Sequence, residues 1–354
     1  MKKILTALLA ASALCGCSPR FTVTGRYALA PGDTVFLFAG DNSVLASGVM
    51  APDTTFALEG RFTASDIVLL ADRDRLHTPA RIILEPGIIR IAPAPEAGYC
   101  ASGTPLNDSM QLLNKKLLAL RDEYHHMAPG TPQQEMDALF ERFDQIPRDM
   151  MNANLDNVFG LSLFSDYEFP NLLQDTTKVA GLRPCMAKFS AEMQAHPLMQ
   201  KLQEKLAGYE NAQPGRPFTE LVLDNTQGEA VALSSLVGPG RWVLLDFWAT
   251  WCGPCLDETN RYLKQAYADY KARGFEIYGV SLDNDKARWT RLVTANGMPW
   301  TNVLGVDDDK RSDAATRYCI TTLPANFLIS PEGIIAAKNL HGKELMDKLA
   351  EVMK

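Results

Sequence analysis

The sequence has no excess of basic residues, no second cluster of metal-binding side chains and, after its first seventeen residues, no long apolar run. Its 35 Lys and Arg are outnumbered by 42 Asp and Glu, so a nucleic acid is not expected as a partner. A zinc site would need four suitably spaced ligands, but the chain has a single C-x-x-C and no H-x-x-H. These absences exclude membrane spans after Cys17 and argue against a metal centre.

The composition is that of a soluble globular protein, with 46% hydrophobic and 22% charged residues. A chain of 354 residues is long for one domain, so two or three are expected. Shifts in pattern along the chain predict the following division: a signal peptide (1–16), a β-rich domain (17–104), a helical connecting segment (105–210), a linker (211–217) and an α/β domain (218–354).

The N-terminus has the pattern of a targeting segment. Lys2 and Lys3 precede an apolar run, Ile4 to Leu14, that is too short to span a bilayer. The following Leu-Cys-Gly-Cys resembles the lipobox of bacterial lipoproteins, which implies a lipid on Cys17 and a location in the cell envelope, facing the periplasm. Ser18 is compatible with sorting to the outer membrane. A plain secretory signal is the alternative.

Short apolar or alternating runs, separated by turn signals about every ten residues, predict a small β-sandwich or barrel. The segments P-G-D-T-V-F-L, L-E-P-G-I-I-R-I and S-G-T-P-L-N-D resemble the N-terminal β-domain of many Bacteroidetes lipoproteins. Its role would be that of a scaffold or, alternatively, a binding surface. The predicted strands are Thr34–Phe38, Val44–Val49, Thr55–Leu58, Ile67–Leu70, Ala80–Leu84 and Ile88–Ala92.

Helical periodicity follows in the middle segment. Met110–Glu123, Gln133–Met151 and Leu198–Tyr209 each place apolar residues on one face, and Pro147 is expected to kink or split the second helix. His125 and His126 could ligate a metal, but adjacent residues point to different sides of a helix. A solvated helix end is the favoured interpretation.

The most informative stretch is Arg241–Leu256, R-W-V-L-L-D-F-W-A-T-W-C-G-P-C-L. An apolar run typical of a buried strand leads through C-x-x-C into a helical segment, the pattern of a redox-active dithiol. Cys252 would lie at the helix N-terminus, which favours a thiolate, and Pro254 suits the first turn. Cys255, one turn on, would face inward.

D-F-W-A-T-W-C-G-P-C resembles the active-site segment of the thioredoxin superfamily. Asp246, nine positions before Cys255, matches the buried carboxylate that accepts the proton of the inner cysteine, although a satisfied structural Asp is the alternative. The preceding hairpin, from about Phe218 to Leu233, resembles the ResA/TlpA-type subgroup. The implied fold is an α/β thioredoxin fold at the C-terminus, after the all-β domain and the helical segment.

The segment ending in Leu323-Pro324 resembles the cis-proline element of this family. The resemblance implies a cis bond facing the dithiol and a backbone edge at Leu323 on which an extended substrate can pair; an ordinary trans proline is the alternative. The predicted catalytic residues are Cys252, as an exposed nucleophile, Cys255 and Asp246, and Asp283 is a further acidic candidate. The predicted substrate-binding residues are Trp251, Gly253, Pro254, Leu323 and Pro324.

Three departures from the family pattern stand out. Leu256-Asp257-Glu258 follows the inner cysteine where relatives often have a basic residue, Thr259 replaces a helix-kinking proline, and Cys319 replaces a glycine. If that last position has positive φ, Cys319 is mildly strained. With Cys15 in the signal, Cys100, Cys185 and Cys319 are left over; buried free thiols are favoured over a Cys100–Cys185 bridge.

The resemblance implies a thiol-disulfide oxidoreductase without a cofactor, which reduces disulfide-containing proteins. Electrons would come from a transmembrane thiol carrier of the kind that serves cytochrome c maturation. Two alternative functions are an envelope binding lipoprotein with a vestigial dithiol and a peroxiredoxin-like thiol peroxidase. The latter would need a cysteine after a P-x-x-x-T element, which Ala249-Thr250-Trp251 does not match.

Overall fold

The computed structural model describes residues 18–94, 98–175, 177–307 and 312–354. The predicted signal peptide and Cys17 lie outside these residues. The chain divides into two compact units, the first ending at Met199 and the second beginning at Gln200. Within the described ranges, no helix combines the length and the apolar character that a membrane crossing requires.

The β-rich part of the first unit is a sandwich of two four-stranded sheets, with strand orders β4-β1-β7-β8 and β3-β2-β5-β6. Alternate residues of both sheets point between them and form one apolar core, including Val23, Leu37, Leu58, Leu70 and Ile89. The strands are β1 Arg20–Arg26, β2 Thr34–Phe38, β3 Val44–Val49, β4 Thr55–Arg61, β5 Ile67–Ala71, β6 Ala80–Ile83, β7 Gly87–Ala94 and β8 Gly98–Ser102.

A series of helices follows the sandwich. Pro147 is buried inside α2, and the helix continues through it, so of the two predicted outcomes the split does not occur. The side chain of Glu85 accepts hydrogen bonds from the backbone N–H groups of Leu106 and Asn107, which satisfies the N-terminus of α1. The helices are α1 Pro105–His125, α2 Gln133–Asn152, α3 Val158–Leu163, α4 Phe169–Gln174, α5 Leu182–Met186, α6 Ala191–Ala195 and α7 Pro197–Asn211.

The second unit is built on a five-stranded sheet of order β13-β12-β11-β14-β15, preceded by the β9–β10 hairpin. β11, β12 and β13 are parallel, and β14 and β15 complete the sheet in antiparallel pairing. The strands are β9 Val222–Asp224, β10 Ala230–Ala232, β11 Trp242–Trp248, β12 Phe275–Ser281, β13 Thr301–Leu304, β14 Ala325–Ile329 and β15 Ile335–Lys338; the helices are α8 Gly253–Glu258, α9 Lys264–Tyr270, α10 Lys286–Ala295, α11 Asp313–Arg317 and α12 Lys343–Val352.

This topology confirms the predicted α/β thioredoxin fold of the C-terminal part. Side chains of a strand alternate between the two faces of a sheet, and each face here has its own apolar cluster. Leu244 and Trp248 of β11 belong to the cluster that also contains both cysteines of the C-G-P-C motif. Val243, Leu245 and Phe247 belong to the cluster on the opposite face. The sheet therefore presents Leu244, Asp246 and Trp248 to the helix that carries the dithiol.

Candidate active site

The dithiol lies where β11 leads into α8. Cys252 is the N-cap residue of this helix, and its Sγ accepts a hydrogen bond of 3.2 Å from the backbone N–H of Cys255. The two cysteines form a disulfide with their Cα atoms 5.3 Å apart. A sulfur at this position receives unpaired N–H groups and the positive end of the helix dipole, so the reduced Cys252 is favoured as a thiolate.

Both cysteines are buried in this oxidised state. Cys252 is 5% exposed, so the expectation of an exposed nucleophile is wrong for the disulfide form. Its neighbours on the chain are open to solvent: Trp251 is 62% exposed, and a side chain at Gly253 would meet no atom within 4 Å. The surface next to the disulfide is therefore open to solvent at Trp251, Gly253 and Pro254.

Asp246 lies on the face of the sheet that α8 covers. It is 4% exposed, and no hydrogen bond to its carboxylate is found among the described residues. Burial, together with the charge of Glu258, raises the pKa of Asp246 from its ordinary value of 3.8 to about 7. Near neutral pH this carboxyl can therefore both accept and release a proton, as general acid–base chemistry requires.

Glu258 was not recognised from the sequence as part of this site. It stands three residues after Cys255, so the two share one face of the helix. Its Oε1 accepts a hydrogen bond of 2.9 Å from the backbone N–H of Gly342. The i+3 spacing from the inner cysteine could have indicated that a second carboxylate lies near the dithiol.

Asp283 holds the turn that precedes the dithiol. It is buried and accepts hydrogen bonds from the backbone N–H and the hydroxyl of Thr250, at 2.8 and 2.6 Å, and from the hydroxyl of Ser281, at 2.7 Å. Both carboxylate oxygens thus have donors. Its contacts therefore make Asp283 a residue that fixes the backbone between Trp248 and Cys252.

The Leu323–Pro324 peptide bond is cis, as expected from the family resemblance. Leu323 is half-buried and packs against the apolar cluster that contains Cys252 and Cys255. The structure therefore brings the segment before β14 to the same end of the sheet as the dithiol.

The sequence has clear relatives. Residues 214–338 match the model of the AhpC/TSA family. The thiol-disulfide oxidoreductase ResA of Bacillus subtilis is 35% identical over 127 residues, 36% of this chain and 67% of the relative. ResA of Halalkalibacterium halodurans is 30% identical over 145 residues, 40% of this chain and 78% of the relative. The chain belongs to the ResA family of thiol-disulfide oxidoreductases.

Among solved structures, the thioredoxin domain of a thiol-disulfide oxidoreductase from Bacteroides vulgatus is 32% identical and has a TM-score of 0.37, covering 40% of this chain and 99% of that one. The enzyme class predicted from C-G-P-C is confirmed by the ResA relatives. These matches cover less than half of this ResA-family chain.

The other cysteines that the structure describes in this ResA-family chain are free thiols. Cys100, Cys185 and Cys319 form no disulfide, so the alternative of a Cys100–Cys185 bridge is wrong. Cys319 has φ of 51°, the positive value that the family glycine indicated. Burial raises the pKa of the Cys319 thiol and disfavours its thiolate. This environment gives Cys319 none of the activation that the helix N-terminus gives Cys252.

Thr259, which replaces the proline of the family pattern, has a local effect on the helix that follows the dithiol. At Thr259, where relatives place a kinking proline, the helix contains a π-turn, Thr259–Leu263, before it continues as α9.

His125 and His126 lie exposed at the C-terminal end of α1, which is where the interpretation of a solvated helix end places them.

Proposed function

We propose that this protein is an envelope reductant of protein disulfides, in which Cys252 attacks the substrate, Cys255 resolves the mixed disulfide and Asp246 accepts the proton of Cys255. The observation that carries the proposal is the arrangement of these groups. One sulfur caps a helix N-terminus, the second lies one turn on, and a carboxyl with a pKa of about 7 faces the same helix from the sheet.

The cycle begins with both cysteines reduced. The Cys252 thiolate attacks one sulfur of the substrate disulfide, which forms a mixed disulfide and releases the other substrate sulfur as a thiolate. The Cys255 thiol then gives its proton to the Asp246 carboxylate and attacks the Cys252 sulfur, which breaks the mixed disulfide and releases the second substrate sulfur as a thiolate. Two electrons have passed to the substrate, and its two thiolates take up protons from Asp246 and from water. The protein is left with the Cys252–Cys255 disulfide that the structure contains.

Substrate binding is assigned to Trp251, Gly253, Pro254, Leu323 and Pro324. The exposed ring of Trp251 and the open space above Gly253 allow a polypeptide to approach. The backbone at Leu323 would pair with an extended segment of the substrate. Because this recognition uses main-chain groups and apolar surface, a range of unfolded or extended disulfide-containing segments would bind.

The reduced state has to be regenerated by an electron donor outside this chain. In an oxidising compartment the donor we propose is a membrane-embedded thiol carrier that delivers electrons across the inner membrane. A lipid on Cys17 would hold the protein at the membrane surface. Replacing Cys17 by Ser should release the protein from the membrane fraction of cells; a protein that still sediments with membranes would contradict the anchor.

Insulin reduction by the full chain tests the activity. Wild-type protein with a chemical reductant should precipitate the insulin B chain faster than the reductant alone. The Cys252→Ser variant should lose this acceleration. The Cys319→Ser variant, a matched loss of one thiol in the same unit, should keep it. Acceleration that survives Cys252→Ser would refute the nucleophile assignment.

A further inference from the structure

Asn326 lies opposite Asp246 in the sheet. The antiparallel register of β11 and β14 pairs these two residues directly. Leu328, two residues along β14, belongs to the same apolar cluster as Leu244 and Trp248, so Asn326 and Asp246 point to the same face. Directly opposed side chains have Cβ atoms about 5 Å apart. Asn326 is thus the nearest polar neighbour that β14 provides for the carboxyl.

The amide of Asn326 is used elsewhere. Its Nδ2 donates to the carbonyl oxygen of Leu340 at 2.7 Å, and its Oδ1 accepts from the backbone N–H of the same residue at 2.9 Å. The side chain is 0% exposed. Held in this way, the amide makes no hydrogen bond to Asp246, and the carboxyl has no donor within the described part of the chain.

The segment that Asn326 holds is also joined to the active-site helix. It runs from Asn339 to Gly342, and the N–H of Gly342 donates to Glu258. Gly342 has φ of 56°. Residues 339–342 therefore connect Asn326, which lies opposite Asp246, with Glu258, the second carboxylate of the site.

We propose that Asn326 is a positioning residue of the dithiol site: by keeping both polar groups of its amide on Leu340, it leaves Asp246 without a hydrogen-bond donor and fixes the 339–342 segment against Glu258. This inference rests on the proposed role of Asp246 as proton acceptor for Cys255. Both effects act in the same direction, since an absent donor and a fixed negative charge each disfavour the ionised carboxyl.

In the oxidised protein Cys252 and Cys255 form a disulfide and do not titrate. Among the described residues, the titratable side chains to consider are Glu258 from α8 and His341 from the 339–342 segment. The neighbouring position on β12 is Gly279, which has no side chain. Of these groups, Glu258 is the one whose charge acts on Asp246, and it adds to the larger effect of burial.

The test is the titration of the Asp246 carboxyl carbon by NMR in the oxidised full chain, with the resonance assigned by its loss in Asp246→Asn. In Asn326→Ala, water can enter and the 339–342 segment is released, so the midpoint should fall by about one pH unit. In Asn326→Asp, a like charge stands opposite Asp246, so the midpoint should rise.

Asn107→Ala is the matched control. Asn107 is also a fully buried asparagine that holds the backbone of one residue: its Nδ2 donates to the carbonyl oxygen of Ile83 and its Oδ1 accepts from the N–H of Ile83, but it lies on α1 in the first unit. Its loss should leave the midpoint unchanged. Equal shifts in Asn107→Ala and Asn326→Ala, no shift in Asn326→Ala, or a fall in Asn326→Asp would overturn the proposal.

Failure of both Asn326 variants to fold, while Asn107→Ala folds, would make Asn326 a purely structural residue and would also overturn the proposal. Insulin reduction by the wild type is measured separately. A wild type without activity would end the proposed function, while the midpoints would still decide the role of Asn326.

Discussion

Replacing Asp246 by Asn should stabilise the oxidised protein at neutral and alkaline pH. The carboxyl is buried without a hydrogen-bond donor among the described residues, and its pKa is raised from 3.8 to about 7. As the pH rises above 3.8, the unfolded chain loses this proton while the folded chain keeps it. The free energy of unfolding therefore falls with rising pH over this window and levels off above about pH 7.

The size of the effect follows from the two pKa values. At about 1.4 kcal/mol for each pKa unit, the ionised carboxyl costs the folded state about 4 kcal/mol at pH values above the window. Between about pH 5 and pH 8 the penalty grows by about 3 kcal/mol. The amide that Asp246→Asn introduces cannot ionise, so the difference in stability between variant and wild type should widen by this amount over the same interval.

Urea unfolding followed by tryptophan fluorescence measures this difference. All five tryptophans lie between Trp242 and Trp300, so the signal reports the second unit alone. Asp257→Asn, which removes a charge at an exposed position of α8, is the control and should change stability by less than about 0.5 kcal/mol. A difference between wild type and Asp246→Asn that stays constant from about pH 5 to pH 8 would refute the reasoning.

Two further variants test the surroundings of the dithiol. Glu258→Gln removes the like charge near Asp246, so the NMR midpoint of that carboxyl should move to lower pH; an unchanged midpoint would mean that burial alone sets it. Asp283→Ala leaves the buried donors of Thr250 and Ser281 without their acceptor, so urea unfolding should show a loss of about 2 to 4 kcal/mol, and a loss below about 1 kcal/mol would contradict its structural role.

The second unit could be predicted from the sequence because local signals and the motif agree there. An apolar run with β-branched residues marks β12, and a clear helical period marks α10, so both elements can be predicted from their own residues. The positions of Cys252 at a helix N-terminus and of a cis bond at Pro324 followed from the family pattern.

Other features depend on contacts that no local pattern records. The strands β1 and β8 were missed: Arg20–Arg26 is largely polar, and Gly98–Ser102 has mostly small residues. β1 forms by pairing with β4 and β7, and β8 by pairing with β7. The short helices α3 to α6 were missed because none is long enough to show a period. In each case the tertiary partner, and not the segment itself, selects the structure.

The polar contacts around Asp246 likewise depend on the tertiary structure and not on a local sequence pattern. The sequence identified Asp246 as an isolated carboxyl in an apolar strand, but the amide of Asn326 could equally have bonded to it. Only the course of the chain after β15 brings the backbone of Leu340 to Asn326, whose amide then bonds to it. Glu258 likewise gains its place from the fold of the 339–342 segment.

The most direct test of the account is the site at which a substrate becomes trapped. Reduced Cys255→Ser protein should form a mixed disulfide with a cysteine-containing peptide disulfide, and peptide mapping by mass spectrometry should place the adduct on Cys252. An adduct on Cys100, Cys185 or Cys319, or none on Cys252, would contradict the claim that the helix N-terminus activates the attacking sulfur.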